Sequence, residues 1–120
     1  MTLTDIQHLW AQPISAAKQT IQTNHNDYHE YSAVIHNASW CPDCEREVSL
    51  LLALDGQSSS GFKQISLHSY EDKESYQRLK REGSLDISCL PTLIFYRRGT
   101  EVLRIEEDSA GQLAFLLQQM

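Results

Sequence analysis

Apolar residues recur along this chain at helical and strand spacing and predict the order α-α-β-α-β-α-β-β-α. Thr4 is the expected cap of a first helix that runs to about Gln12. Pro13 suits the first turn of a second helix that ends near Thr23. Residues 24–30 are polar and are expected to form a loop, so the first 30 residues form a helical N-terminal segment.

The remainder of the chain, residues 31–120, alternates strands with helices. Clustered apolar side chains indicate that the first strand is buried on both faces. The β-α-β connections predict a mostly parallel sheet with helices on both faces, and the last hairpin adds an antiparallel edge strand, which gives a four-stranded mixed sheet flanked by helices. The predicted strands are residues 31–37, 62–69, 92–97 and 101–105, with a hairpin turn at 98–100; the predicted helices are 42–54 closed by Gly56, 73–82 between Asp72 and Gly83, and a last helix capped by Ser109.

Length and charge narrow the possible functions. The 120 residues are enough for one domain with its own core. The formal net charge of −6 does not suit a phosphate backbone, so we expect no nucleic-acid partner. No stretch approaches the ~20 apolar residues of a membrane span, and the N-terminus lacks the basic and apolar regions of a signal peptide. We therefore expect a cytoplasmic protein without a membrane partner, in which a Cys-x-x-Cys pair serves catalysis or metal binding.

The sequence Trp40-Cys41-Pro42-Asp43-Cys44 stands between the first predicted strand and the following helix. Two cysteines at this spacing at a helix start can form a disulfide. The free N–H groups of the helix N-terminus favour a thiolate at Cys41. Cys41 would attack a substrate disulfide as the exposed cysteine, and Cys44 would then attack the Cys41 sulfur and release the substrate.

The two residues between the cysteines are expected to tune this chemistry. Pro42 has a fixed φ angle that suits the first helical turn. Asp43 interacts well with the helix dipole but repels a neighbouring thiolate, so it should make the Cys41 thiol less acidic.

Metal binding is the alternative for the cysteine pair. A zinc site needs four ligands, and the nearest further spacing, His25 with His29, lies in the predicted polar loop. We therefore favour redox chemistry. For Cys89, a third redox thiol and a small buried residue remain equally open. His36 is expected to be a packed or half-exposed strand residue, with proton transfer as the less favoured alternative.

The motif Trp-Cys-x-x-Cys after an apolar strand, with Leu90-Pro91-Thr92 before a β-hairpin, resembles the thioredoxin-like family. The form Trp-Cys-Pro-Asp-Cys is similar to the thioredoxin-related-protein type, because ordinary thioredoxin has Gly-Pro between its cysteines. The resemblance begins near residue 31 and implies an α/β thioredoxin-like fold whose first strand is replaced by the helical N-terminal segment. It also implies that Pro91 is cis and faces Cys41, and that the Leu90 backbone pairs with a bound peptide.

Three positions depart from the family's pattern. Ile35 stands where thioredoxin has a buried Asp that helps to move the proton of the resolving cysteine, and Leu67 stands at its Lys partner. The two changes are consistent, because either charge alone would be buried without a partner. They put general-base help to the second cysteine in doubt. Glu106 or Glu107 stands where a Gly follows the last strand, and we expect it to narrow the substrate groove.

The resemblance implies a dithiol reductase of protein or small-molecule disulfides. It would need no bound cofactor, and a thioredoxin-reductase-type enzyme or glutathione would supply its electrons. Two alternatives remain open, namely a module that holds a partner in the Leu90-Pro91 groove and a protein that handles soft metals through its cysteines. The expected site consists of catalytic Cys41 and Cys44, substrate-contacting Trp40, Leu90 and Pro91, and modulating Pro42, Asp43 and Cys89.

Overall fold

The computed structural model describes residues 1–21 and 26–120, and the predicted order of elements is confirmed there. The predicted helix end near Thr23, the start of the predicted loop and His25 lie outside the described residues. No helix in the described ranges is both long and apolar enough to cross a bilayer. The elements are α1 (Leu3–Leu9), α2 (Ala11–Thr20), β1 (Tyr31–Asn37), α3 (Pro42–Gln57), β2 (Gln64–Ser69), α4 (Lys73–Arg81), β3 (Thr92–Arg97), β4 (Thr100–Glu106) and α5 (Leu113–Gln118).

The four strands form one mixed sheet in the order β2-β1-β3-β4. β1 and β2 are parallel, whereas β1 with β3 and β3 with β4 are antiparallel. The prediction of a mostly parallel sheet is therefore wrong, because β3 enters beside β1 in the opposite direction. This sheet is flanked by helices and has the thioredoxin-like topology, with α1 and α2 as a helical N-terminal extension.

The hairpin between β3 and β4 turns where the sequence predicts it. Arg98 and Gly99 both have positive φ angles, of 52° and 79°, and Arg97 pairs directly with Thr100. Two central residues with positive φ define the tight turn that matches the twist of the flanking strands. β4 is longer than predicted because Thr100 and Glu106 also pair with β3.

The core lies between one face of the sheet and α3. Ile35 of β1 is fully buried, and its register partners are Leu67 of β2 and Leu93 of β3. Val48 and Leu51 of α3 are also fully buried in this core. β1 itself alternates between buried and half-buried residues, so the prediction that both of its faces are buried is wrong.

The N-terminal helices begin and end at other residues than predicted. The Thr2 side chain accepts the N–H of Asp5 while the Asp5 carboxylate accepts the N–H of Thr2, so this capping box starts α1 before Thr4. α1 ends at Leu9, and the buried Trp10 joins it to α2. Pro13 lies in the first turn of α2, as predicted.

Helix α3 extends beyond its predicted end. It continues through Gly56 to Gln57, whose side chain donates a hydrogen bond to the Lys18 carbonyl of α2. Packing against α2 therefore outweighs the weak helix propensity of glycine at this point. In α4 the prediction is confirmed: Asp72 caps the helix start, and Gly83, with φ of 71°, follows its end.

The sequence predicts that Ser109 caps the last helix, and this prediction is wrong. The polar groups of Ser109 form hydrogen bonds with α3 instead. Its N–H donates to Glu47 Oε1 at 3.1 Å, and its hydroxyl lies within 2.8–3.0 Å of the two Glu47 carboxylate oxygens. Glu47 is only 1% exposed, so these donors replace the water that its charge would otherwise need. α5 begins instead at Leu113, after Gln112.

We expect Ser109→Ala to lower the free energy of unfolding by about 1–3 kcal/mol, because a buried charged acceptor loses a donor. Urea denaturation checks this value. Ser84→Ala removes an exposed hydroxyl and serves as the control, with little expected change. Equal midpoints for the two variants would contradict the importance of the buried contact.

Candidate redox site

The sulfur of Cys41 lies at the N-terminus of α3. Cys41 is the N-cap residue, and its Sγ accepts a hydrogen bond from the backbone N–H of Cys44 at 3.3 Å. Pro42 occupies the first helical position, where its missing N–H costs no hydrogen bond. The helix start therefore presents a backbone donor and the positive end of its dipole to this sulfur.

The two cysteines of the motif differ in accessibility. Cys41 is only 9% exposed, so the prediction of an exposed Cys41 is wrong; Cys44 is fully buried, and both thiols are free. Burial strongly raises the pKa of the Cys44 thiol, and its hydrogen bond with Cys41 raises it further. The backbone N–H of Ala38 acts in the opposite direction. Cys44 is therefore a protonated thiol, and its sulfur is less accessible than that of Cys41.

The Leu90-Pro91 segment lies against Cys41. The peptide bond between these residues is cis, and the Leu90 carbonyl oxygen is 3.8 Å from Cys41 Sγ. Both residues are buried. The preceding Cys89 is half-buried, and its Sγ lies 3.9 Å from the hydroxyl of Thr92. Residues separated by about half the chain thus meet at one sulfur.

Trp40 is half-buried and is fixed by the segment between β2 and α4. Its indole N–H donates to the carbonyl oxygen of Tyr70 at 2.8 Å. The Lys73 ammonium lies 5.5 Å from the centre of the indole, within the range of a cation–π contact. Anchoring through its N–H leaves the ring in a defined orientation beside the cysteine pair.

The charge of Asp43 is partly balanced within its own helix. Its carboxylate lies 2.9 Å from the Arg46 guanidinium, which also approaches Asp108 at 3.4 Å. The hydrogen bond with Asp43 is the main cause that raises the pKa of Arg46. The repulsion that the sequence predicts between Asp43 and a Cys41 thiolate is therefore opposed by a nearby positive charge.

Three positions were expected to differ from the pattern that the resemblance implies. Ile35 and Leu67 are register partners in β1 and β2, so two apolar residues stand where the resemblance implies a charged pair. β4 ends at Glu106, and the exposed Glu107 has φ of 66°. The Glu107 N–H donates to the Pro91 carbonyl at 2.7 Å, which ties this segment to the cis peptide.

Histidine and tyrosine form a cluster that the sequence analysis missed. His36 Nδ1 lies 2.9 Å from the Tyr70 hydroxyl, and the His36 ring stacks on His68 at 4.8 Å between centroids. Burial lowers the pKa of His36, and the charges of His68 and Arg104 lower it further. Only the β1–β2 register pairs the two histidines, so no local sequence signal could have revealed the cluster.

Tyr76 of α4 is the second residue that the sequence analysis missed. It is 7% exposed, although most residues of α4 are charged or polar. Its ring lies 5.9 Å from that of Trp40 and 5.4 Å from that of Tyr70. The one signal for its burial is an aromatic residue three positions before Leu79 in an otherwise polar helix.

Two further features of the described residues concern metal ligands and cavities. They contain no group of three or more His, Cys, Asp or Glu side chains that could hold a metal ion, so the three cysteines do not form one. A cavity of about 430 Å³ lies between the N-terminal helices and α3, and Ile14, Lys18 and Leu52 help to line it. None of the cysteines is among its lining residues.

Comparisons with known proteins give the following matches. No family model matches the sequence, and no curated protein matches it significantly. Thioredoxin O1 from Arabidopsis thaliana in its oxidized state is similar at 18% identity and a TM-score of 0.48, over 92% of this chain and 88% of that chain. For thioredoxin f2 from Chlamydomonas reinhardtii, the identity is 17% and the TM-score 0.47, over 86% and 92% of the chains. Trxlp from Edwardsiella tarda EIB202 shows 22% identity and a TM-score of 0.43, over 85% and 88%.

We expect Asp43→Asn to favour the Cys41 thiolate, because a nearby negative charge is removed while Arg46 remains. Thiolate absorbance against pH, in a Cys89→Ala background, measures the change. Glu45→Gln removes another carboxylate from the first turn of α3 and serves as the matched control. An unchanged or higher ionisation pH in Asp43→Asn would refute the repulsion.

The free energy of unfolding should fall as the pH drops through about 6.5, because the lowered pKa of His36 means that the unfolded chain binds the proton more readily. The contribution of the neutral His36 to the free energy of unfolding is therefore present above that pH and is lost below it. Urea denaturation between about pH 7.5 and 5 should give a flatter dependence for His36→Gln. The exposed His8→Gln variant should keep the slope of the wild type.

Proposed function

We propose that this protein is a thiol–disulfide oxidoreductase that reduces disulfides of proteins or small molecules with Cys41 and Cys44. The observation that carries the proposal is the environment of the Cys41 sulfur. It caps α3, accepts the Cys44 N–H at 3.3 Å and lies 3.8 Å from the carbonyl oxygen that precedes cis-Pro91. The Cys44 N–H and the helix start support a thiolate, and the segment before cis-Pro91 offers a backbone edge that a disulfide substrate could approach.

In the first step, the Cys41 thiolate attacks one sulfur of the substrate disulfide. The substrate S–S bond breaks, a mixed disulfide forms at Cys41, and the other substrate sulfur leaves as a thiolate that water can protonate. The N-terminus of α3 stabilises the attacking thiolate through its backbone donors. The limited exposure of Cys41 favours attack by this cysteine over the buried Cys44.

In the second step, Cys44 loses its proton and attacks the Cys41 sulfur. The mixed disulfide breaks, the substrate leaves as its second thiolate, and the protein keeps a Cys41–Cys44 disulfide. Two electrons have then passed from the dithiol to the substrate. Because burial raises the pKa of Cys44, this step should accelerate as the pH rises.

The partners follow from the same chemistry. The dithiol itself stores the electron pair, so the proposal requires no bound cofactor. A thioredoxin-reductase-type enzyme or glutathione in the cytoplasm would restore the dithiol. Leu90 lies against Cys41, and we propose that Trp40, Leu90 and Pro91 contact the substrate and that the half-buried Cys89 modulates the reaction. The net charge of −6 supports protein or small-molecule substrates over nucleic acid.

We expect Cys41→Ser to abolish reduction of insulin and cystine, because no thiolate remains to attack the substrate. Cys44→Ser should complete the first step only and accumulate mixed disulfides, which can be captured from cell extract and identified. Cys89→Ser is the matched control, because it changes a cysteine outside the motif and should retain most activity.

A wild-type protein that reduces neither substrate, together with an empty Cys44→Ser trap, would refute the proposal. Partner binding by the wild-type protein without any turnover, when the same binding survives in Cys41→Ser, would indicate a binding module instead. Tight binding of a soft metal that is lost in Cys41→Ser would indicate metal handling.

A further inference from the structure

The hydroxyl of Tyr76 is a buried polar group without a hydrogen-bond partner among the described residues. Buried polar groups in folded proteins are almost always paired, because an unpaired one loses its hydrogen bonds to water. An unpaired donor beside a reactive site therefore suggests that another state of that site supplies its acceptor.

Tyr76 lies beside the cysteine motif. Its ring is 5.9 Å from that of Trp40, the residue next to Cys41, and 5.4 Å from that of Tyr70. Its pKa is raised, so it remains an O–H donor rather than a base. The causes of this rise are burial first, and then the charges of Cys89, Tyr70, Cys44 and Cys41.

Cys44 is the sulfur that most needs a donor. It is fully buried, and it must carry a negative charge when it attacks the mixed disulfide. Burial, the Cys41 sulfur and the Asp43 charge all oppose that charge. The backbone N–H of Ala38 favours that charge, but it does not outweigh the burial. A second donor would therefore act where the protein gives little support.

On the basis of the proposed function, we propose that the Tyr76 hydroxyl donates a hydrogen bond to the Cys44 thiolate during the second step. Tyr76 keeps its proton throughout. The Cys44 proton goes to water, the Cys44–Cys41 bond forms, and the bond between Cys41 and the substrate breaks. The hydrogen bond lowers the cost of the thiolate and so increases its population at neutral pH.

The test uses the full-length chain with Cys89→Ala and the disulfide 5,5′-dithiobis(2-nitrobenzoate). Attack by Cys41 releases one coloured thiolate, and attack by Cys44 releases the second, so stopped-flow absorbance separates the two steps. In Tyr76→Phe we expect the second release to slow about tenfold at neutral pH. The pH at which the rate of this release begins to rise should increase by about one pH unit. The first release should stay within about twofold of the parent, which also shows that the fold is intact.

Tyr70→Phe is the matched control, because it removes an equivalent hydroxyl that lies 2.9 Å from His36 Nδ1 and should leave the second release unchanged. An unshifted pH profile in Tyr76→Phe, or uniform slowing at every pH, would overturn the inference and leave only a packing role. An effect that occurs only when Cys89 is present would overturn it too, since Tyr76 would then serve Cys89. If the parent chain, with Cys89→Ala and an unchanged Tyr76, gives no second release, the proposed function itself fails.

Discussion

The hydrogen bond from the Cys44 N–H to the Cys41 sulfur joins the chemistry of this protein to its fold. A helix must leave its first N–H groups without intrahelical partners, and here a sulfur atom, rather than an oxygen, accepts one of them. The bond requires Cys41 in extended backbone conformation directly before Pro42. β1 holds the chain in the middle of the sheet up to Asn37, and a short turn at residues 38–40 then leads to Cys41.

The sheet order brings the other parts of the site to this helix start. β3 lies antiparallel to β1, so the beginning of β3 meets the end of β1, and Thr92 pairs with His36. The cis peptide before Pro91 therefore reaches Cys41 because of strand direction. On the far side, the β2–α4 connection holds Trp40 through the Tyr70 carbonyl. Three segments that are distant in sequence thus converge through the pairing of one central strand.

Much of this arrangement could be predicted from sequence, because it depends on local signals. The alternation of apolar residues and the turn residues predicted β1, β3 and the hairpin with small errors. The Cys-x-x-Cys spacing and Pro42 predicted a helix start at Cys41. The wrong ends have tertiary causes: α2 extends α3 past Gly56, and the Glu47 carboxylate takes the groups of Ser109 that could have capped a helix.

The surroundings of the site could not be predicted, because they depend on register and on side-chain direction. His36 and His68 stack only because β1 and β2 pair in parallel with no offset between them. Tyr76 is buried because the side of α4 that carries it faces Trp40. The mostly polar sequence of α4 does not indicate this contact. Such contacts involve residues more than 30 positions apart and leave no periodic trace in the chain.

The two tryptophans also divide the optical signals of the protein between two regions. Trp10 joins α1 to α2 within the core, whereas Trp40 is adjacent in sequence to the reactive sulfur. Replacement of either one by phenylalanine leaves a single indole emitter. Fluorescence from Trp10 then reports docking of the N-terminal helices, and fluorescence from Trp40 reports the dithiol, each without an added dye.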